Sequence, residues 1–194
     1  IGFLNTKVSN LITNLLNPTL STQIGDIVKI PLKINDDSSH LVTSIAKDNI
    51  DITRFDWDAH ETSWDFQSNE LVSLSGDIRI EEEGDPASTE ITSSPISLLI
   101  QEYHAIWEQR FNVLHKNEEE LNRQFIEIYG LQDELTPNVP LDEITILQQG
   151  EIKIEDNQIK WNNDVLIKQL ISYAVGIWMG RYRLDNPGLH IAHP

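Results

Sequence analysis

Histidine and carboxylate side chains are the groups in this 194-residue sequence that could bind a metal or transfer a proton, and it has six His and thirty-one Asp and Glu residues. Only His190 and His193 have the spacing of two ligands on one helix face, and no third ligand lies near them in the sequence. Because a zinc site needs three or four converging ligands, we expect no metal centre. Neighbouring carboxylates in the runs Glu81–Glu83 and Glu118–Glu120 point in different directions, whereas catalytic pairs converge across a cleft. These runs therefore indicate solvated charged faces.

Motifs for nucleophilic catalysis and phosphate binding are missing from the sequence. It has no His-Glu-x-x-His, Gly-x-Ser-x-Gly or phosphate-loop pattern, and without cysteine it can form neither thiolate zinc sites nor disulfides. Asn17-Pro18 begins like the Asn-Pro-Pro-aromatic motif of amino-methyltransferases, but the second proline and the aromatic residue are lacking, so we interpret it as a helix end. The sequence predicts no catalytic and no cofactor-binding residue in this chain.

Aromatic side chains can stack on unpaired bases, but basic residues are sparse around most of the tryptophans here. Packing in hydrophobic cores is therefore the expected role of the five residues Trp57, Trp64, Trp107, Trp161 and Trp178.

The net charge of −17 is concentrated in the middle of the chain. Residues 1–35 carry a net charge of +2, residues 36–150 carry −19, and residues 151–194 are neutral. A polyanion such as DNA would therefore contact this chain at its ends. With 39% hydrophobic and 23% charged residues, the composition is that of a globular protein with a real core.

The elements that must position these side chains are mainly helical, and the sequence predicts an α+β fold with a few short strands. Apolar residues at steps of three and four indicate a first helix over residues 4–16. The β-branched run 27–32 indicates a short strand, and short helices are expected within residues 36–66. Residues 73–95 are rich in Ser, Glu, Gly and Pro, which is typical of a flexible connector.

The strongest helical signal covers residues 96–129, which contain neither Gly nor Pro. Apolar residues recur there at alternating steps of four and three, interrupted only by Glu118, and this pattern predicts a seam that packs against other helices. At a rise of 1.5 Å per residue the helix would be about 50 Å long. The seam residues, which are also candidates for binding a partner, are Trp107, Phe111, Leu114, Leu121, Phe125 and Ile128.

A small β-hairpin is predicted near residues 144–161, where isoleucines alternate with polar residues around Asp156-Asn157. A last, largely apolar helix is predicted to begin near Asn163. No apolar run reaches the roughly 18 residues that a membrane span needs, so we expect no membrane partner. The lack of cysteine and of a signal peptide favours the cytoplasm.

Several strings along the chain resemble segments of one protein family. They are residues 1–8, 16–20, 23–27, 61–66, 117–123, 128–135, 171–176 and 180–185. In that order they resemble the PglX-like adenine-specific DNA methyltransferases of the BREX phage-resistance system and their type II-like relatives. Because the only methionine is Met179, Ile1 is not an initiator, and we expect a fragment of such an enzyme.

The resemblance implies an S-adenosylmethionine-dependent enzyme that methylates adenine N6 in double-stranded DNA, as part of a restriction-modification or phage-defence system. In that family the cofactor-binding and catalytic motifs lie upstream of this region, so no catalytic residue is carried over. Lys7, Lys29 and Lys33 would border the DNA, and the long helix would be a strut between the recognition and catalytic parts. A hairpin-like insert at residues 143–162 replaces a plainer link of the family.

Four segments follow from the resemblance and the composition together. They are the end of a target-recognition region (1–35), a short helical segment (36–72), a flexible connector (73–95), and a spacer helix with a hairpin and a C-terminal helix (96–194).

Two other functions stay open. The long helix and the acidic middle would suit a module that docks other defence-system subunits, and this function is compatible with the first. An acidic mimic of DNA is the other, although the uneven charge and the apolar helices argue against it. The isolated chain is also expected to be capable of dimerising through the seam.

Overall fold

The structure, a computed structural model, describes residues 2–19, 23–34, 36–77 and 95–190. Within these ranges the chain is mainly helical, with one two-stranded antiparallel sheet. The helices and strands are α1 (Lys7–Leu16), α2 (Ile24–Val28), α3 (Asp36–Asp58), α4 (Glu70–Asp77), α5 (Pro95–Tyr129), β1 (Ile152–Glu155), β2 (Gln158–Trp161) and α6 (Asn163–Trp178). None of the helices in the described ranges is long and apolar enough to cross a membrane.

The chain divides into two compact units, and the first contains residues 1–52 and 111–144. Its helix α1 is capped by Thr6, whose hydroxyl accepts a hydrogen bond from the Ser9 N–H at 3.3 Å. Apolar faces of α1, α3 and α5 share one core. The buried members of that core are Phe3, Val8, Val42, Ile45, Leu121, Phe125 and Ile126.

The second unit contains residues 53–110 and 145–194. Its hairpin pairs Ile152 with Trp161 and Glu155 with Gln158, and the turn residues Asp156 and Asn157 have φ angles of 51° and 57°. Positive φ at both turn positions is the two-residue hairpin geometry that Asp and Asn tolerate well. This unit contains an aromatic core cluster whose buried residues are Phe66, Tyr173 and Tyr182.

Four sequence predictions are confirmed. The long helix runs over Pro95–Tyr129, and its end is followed by Gly130 with φ 68°. A hairpin forms within the predicted 144–161 region, and the last helix begins at Asn163. The fold is mainly α with a small hairpin.

The predicted strand at residues 27–32 is wrong, because residues 27 and 28 belong to helix α2 and residues 29–32 are neither helix nor strand. The Gln23 N–H donates to Asp26 Oδ2 at 3.2 Å, and such a contact at a helix start favours a helical turn over the β-branched preference of the following residues. The sequence predicts short helices within residues 36–66, whereas α3 is one helix of 23 residues.

Two further segments differ from expectation. Residues 73–77 of the predicted connector belong to helix α4, and its residues 78–94 lie outside the described ranges. Ile144 and Ile146, which the sequence pattern assigns to the hairpin, are fully buried but belong to irregular chain ahead of β1. Burial of both isoleucines explains why their spacing resembles a half-buried strand.

Candidate functional site

Lys7, one of the three predicted DNA-edge lysines, is held by neighbours in the first unit. Its backbone N–H donates to Asn122 Oδ1 at 2.9 Å, and its ammonium group donates to the Asn138 carbonyl. Asn122 is only 3% exposed, so this contact fixes the start of α1 on α5. Lys7 therefore has a structural role in addition to its charge.

Lys29 and Lys33 are more accessible. The Lys29 ammonium lies 3.8 Å from Asp26 Oδ1 and its side chain is 67% exposed, while the Lys33 ammonium lies 5.7 Å from the centre of the Tyr129 ring. A hydrogen bond from Asn17 to Asp26 lowers the pKa of that carboxyl, so the carboxylate stays ionised and offsets part of the Lys29 charge. The structure leaves both ammonium groups at the surface of the first unit.

The predicted helix seam is buried within the chain. Its exposed fractions are 1% for Trp107, 0% for Phe111, 1% for Leu114, 3% for Leu121 and 1% for Phe125, and Ile128 is half-buried against the first core. These side chains already have partners inside the chain, so the seam is part of the core.

The acidic run 118–120 is half-buried and not a fully solvated face. Burial raises the pKa of Glu118. Glu119 Oε1 accepts the Val139 N–H at 3.1 Å, and Glu120 pairs with Arg123 in the next turn. Two of these carboxylates thus serve local structure.

Side chains of the second unit form a buried polar cluster that the sequence analysis did not predict. His60 Nε2 and Glu151 Oε1 are 2.8 Å apart, and the two side chains are 7% and 0% exposed. The Gln169 amide also donates to Glu151 Oε1, at 2.6 Å, and His60 Nδ1 lies 2.6 Å from the Asp56 carbonyl oxygen. His60 and Glu151 are 91 residues apart, so no local spacing links them.

The cluster shifts both pKa values towards the charged pair. Burial alone would lower the pKa of His60, but its hydrogen bond and charge interaction with Glu151, together with Asp56, raise it above the ordinary value. Burial alone would raise the pKa of Glu151, but the hydrogen bonds from His60 and Gln169 and its own backbone N–H lower it. Each partner therefore stabilises the charged form of the other.

Asp56 links this pair to the chain before the hairpin. Its Oδ1 accepts the Leu147 N–H at 2.9 Å, and Leu147 has a φ of 59°, which is uncommon for a residue with a branched side chain. Burial raises the pKa of the Asp56 carboxyl, and the Leu147 hydrogen bond opposes that rise. The hydrogen bond stabilises an unfavourable backbone conformation at a residue that is 1% exposed.

A third carboxylate, Glu70 at the start of α4, lies near the same cluster. It accepts the indole N–H of Trp107 at 2.5 Å and lies 3.6 Å from Arg110, whose guanidinium covers the Phe55 ring at 3.9 Å. Burial raises the pKa of Glu70, and its hydrogen bond to Trp107 opposes that. The Trp107 indole N–H and the Arg110 guanidinium together offset part of the free-energy cost of burying the Glu70 carboxylate.

The cavity beside these groups is very small. It has a volume of about 10 Å³ and is lined by Ala59, His60, Asn69, Glu70, Leu71, Tyr103, Leu166 and Gln169. A space of this size holds about one water molecule and no substrate. The hydrogen bonds of this cluster therefore hold buried side chains of the second unit together. In the described ranges, no group of three His, Asp or Glu residues is arranged to hold a metal ion.

Core packing, the expected role of all five tryptophans, is wrong for three of them. Trp107 is buried and Trp161 stacks on His104 at 4.2 Å between ring centres, but the other three are largely exposed. Their exposed fractions are 60% for Trp57, 91% for Trp64 and 84% for Trp178. The apolar surface of the second unit is thus much larger than the sequence pattern indicated.

Comparison with known proteins gives relatives over the whole chain. No family model matches it. It is 33% identical over 192 residues to the adenine-specific methyltransferase PglX of Lacticaseibacillus casei (strain Zhang), covering 99% of this chain and 14% of that protein. It is also 33% identical over 196 residues to the adenine-specific methyltransferase BrxX of Escherichia coli O9:H4 (strain HS), covering all of this chain and 14% of that protein. The chain spans about one seventh of the length of each relative, and over its full length it is similar to a segment of both.

Proposed function

We propose that this chain is part of an S-adenosylmethionine-dependent methyltransferase that modifies adenine N6 in double-stranded DNA, in a phage-defence or restriction-modification system. The observation that carries the proposal is the 33% identity to two adenine-specific methyltransferases along the full chain. The segment contributes scaffold and the edge of a DNA-specificity region, and the catalytic and cofactor sites belong to other parts of the parent enzyme.

The geometry of the second unit supports a scaffold role. Its buried His60–Glu151 pair is bonded within the fold, and the adjoining cavity of about 10 Å³ is too small for a base or a cofactor. A base-flipping enzyme needs a pocket large enough for the extruded adenine, and this cavity is too small to be that pocket.

The proposed activity is tested on the full-length parent enzyme. Purified enzyme is incubated with unmethylated DNA and S-adenosylmethionine, and N6-methyladenine is measured by mass spectrometry of the digested DNA. A reaction with S-adenosylhomocysteine in place of the cofactor is the control. Cofactor-dependent N6-methyladenine is the expected result, whereas methylated cytosine or unmodified DNA would contradict the proposal.

The DNA-edge role is assigned to Lys29 and Lys33, whose ammonium groups are at the surface. In the parent enzyme, the double variant Lys29→Glu/Lys33→Glu should weaken DNA binding and reduce the slope of log K against log salt by about 0.9 for each phosphate that is no longer neutralised. The charge-matched control is Lys153→Glu/Lys160→Glu on the hairpin, where both lysines are exposed. Unchanged affinity and salt slope in the first variant would remove these lysines from the DNA interface.

A further inference from the structure

Helix α6 has apolar residues on opposite faces in its C-terminal half. Residues 170–179 contain no charged side chain. One face packs inside the second unit, where Tyr173 and Gly176 are buried. The opposite face, which we call the outer face, consists of Ile171, Val175, Trp178 and Met179, with exposed fractions of 56%, 41%, 84% and 77%.

The outer face continues into an open groove at the end of the helix. The groove has a volume of about 570 Å³ and is lined by Ser172, Val175, Gly176, Met179, Gly180, Arg181 and His190. Its rim is held by backbone hydrogen bonds of 2.8 Å, one from the Arg181 N–H to the Gly176 carbonyl and one from the His190 N–H to the Arg181 carbonyl. The groove is therefore part of the folded structure of this unit.

Arg181 is the basic side chain in the lining of the groove, and at another point of the lining the Ser172 hydroxyl donates to the Glu61 carboxylate. Its guanidinium lies 5.6 Å from the centre of the Tyr182 ring, and among the described residues no carboxylate forms an ion pair with it. A ligand for this surface would place apolar groups on the outer face and a carboxylate beside Arg181. This combination of an apolar centre and one charged group at the rim is typical of a protein–protein contact.

A helix with apolar residues around its whole circumference is usually covered by protein on every side. Single exposed apolar residues are ordinary, but four on one helical face, next to an apolar groove, form a contiguous patch that marks an interaction site. The two relatives are each about seven times as long as this chain, so an enzyme of their length has ample chain to cover the patch.

We propose that the outer face of α6 and its groove dock an apolar segment bearing an acidic side chain, supplied in cis by the part of the parent methyltransferase that this chain does not span. The proposal rests on the proposed function, since it requires a parent of that length. Intramolecular docking needs no high affinity, because the tether keeps the local concentration of the segment high.

The test uses the full-length parent with a photo-crosslinking amino acid in place of Trp178. A second variant carries it at Met179, in case the first does not fold, and a control carries it at Glu155, an exposed hairpin residue. Equal amounts of isotopically light and heavy enzyme are mixed before illumination, so mass spectrometry distinguishes crosslinks within one chain from crosslinks between copies.

Docking in cis predicts crosslinks from positions 178 and 179 to parent residues outside this chain, within one copy, in several-fold higher yield than from position 155. Arg181→Glu should reduce that yield several-fold, because it would repel the acidic side chain. Crosslinks between copies, or yields no higher than the control, overturn the proposal. DNA methylation by the same preparations is measured separately, so enzyme that methylates adenine without the cis crosslink refutes the docking alone.

Discussion

The buried His60–Glu151 pair makes stability depend on pH in a direction that follows from its geometry. The pKa of His60 is raised in the folded state, so the stabilisation from its protonation is fully present below the unfolded pKa of about 6.5 and is lost as the pH rises through the folded pKa. Where the folded chain binds one proton more than the unfolded chain, stability falls by at most about 1.4 kcal/mol per pH unit.

Glu151 has the opposite dependence. Its pKa is lowered on folding, so its contribution is present above the unfolded pKa of about 4.5 and is lost as the pH falls through the folded pKa. The pair is therefore most stabilising between about pH 4.5 and pH 6.5. Both side chains are nearly inaccessible, so solvent screening is small.

The substitution Glu151→Gln tests this reasoning because the amide keeps an oxygen for His60 and Gln169 but removes the charge. Burial is the largest influence on the pKa of His60, and it opposes protonation of the imidazole. In the variant, Asp56 and Glu70 are the nearby carboxylates that still favour protonation. At pH 5.5 the variant should be less stable by about 3–5 kcal/mol, the cost of leaving a buried charge without its partner. Well above the folded pKa of His60, where the imidazole is neutral, the cost should fall to about 1 kcal/mol.

The measurement is the free energy of unfolding of the second unit from urea denaturation between pH 5 and pH 9, with an NMR titration of the His60 imidazole. The net charge of −17 gives the chain a general pH dependence, so the difference between variant and wild type is the quantity to follow. Glu119→Gln is the matched control, because its contact with His115, at 3.6 Å, is partly exposed and should contribute less than about 1 kcal/mol. A His60 pKa at or below 6.5, or a pH-independent cost of Glu151→Gln, would refute the argument.

Three other substitutions probe the packing of the second unit. Gly176→Ala should destabilise the fold by about 1–3 kcal/mol, because its Cβ would lie 2.5 Å from the buried Tyr182 ring. Gly76→Ala should stabilise α4 by about 0.5–1 kcal/mol, because the new methyl group would meet no described atom within 4 Å other than those of its chain neighbours and of the helix's own backbone. Equal effects in urea denaturation would contradict the close approach at Gly176. Trp107→Phe should cost about 1–3 kcal/mol, because Glu70 is deprived of its indole donor, and this cost should shrink at a pH low enough to protonate Glu70. A pH-independent cost would assign the effect to packing alone.

Local signals explain which elements could be predicted from the sequence. Helix α5 has a proline in its first turn, an uninterrupted apolar period and a glycine after its end, and these features need no tertiary information. The hairpin turn is likewise local, since Asp156 and Asn157 suit the backbone geometry they adopt.

The remaining errors come from information that adjacent residues do not carry. A run of β-branched residues as short as 27–32 fits a strand and a helix equally, and the contact between Gln23 and Asp26 favours the helix. The pairing of His60 with Glu151 depends on bringing together positions 91 residues apart. The one local indication of that cluster is the four-residue spacing of Asp56 and His60. The contact at this spacing joins the His60 imidazole to the backbone carbonyl of Asp56 and not to its carboxylate.

The interior and the surface of the second unit together indicate which surface a partner would contact. Inside, Glu151 Oε1 accepts hydrogen bonds from His60 and Gln169, and Glu70 accepts one from the Trp107 indole, so both buried carboxylates already have hydrogen-bond partners within the fold. The seam of α5 is also covered, with Trp107 and Leu114 each 1% exposed. Self-association of the isolated chain would therefore use the outer face of α6, where Trp178 is 84% exposed, and not the seam. Since that face is also the proposed cis docking surface, a dimer of the isolated chain would be a consequence of removing its neighbours and carry no information about the parent enzyme.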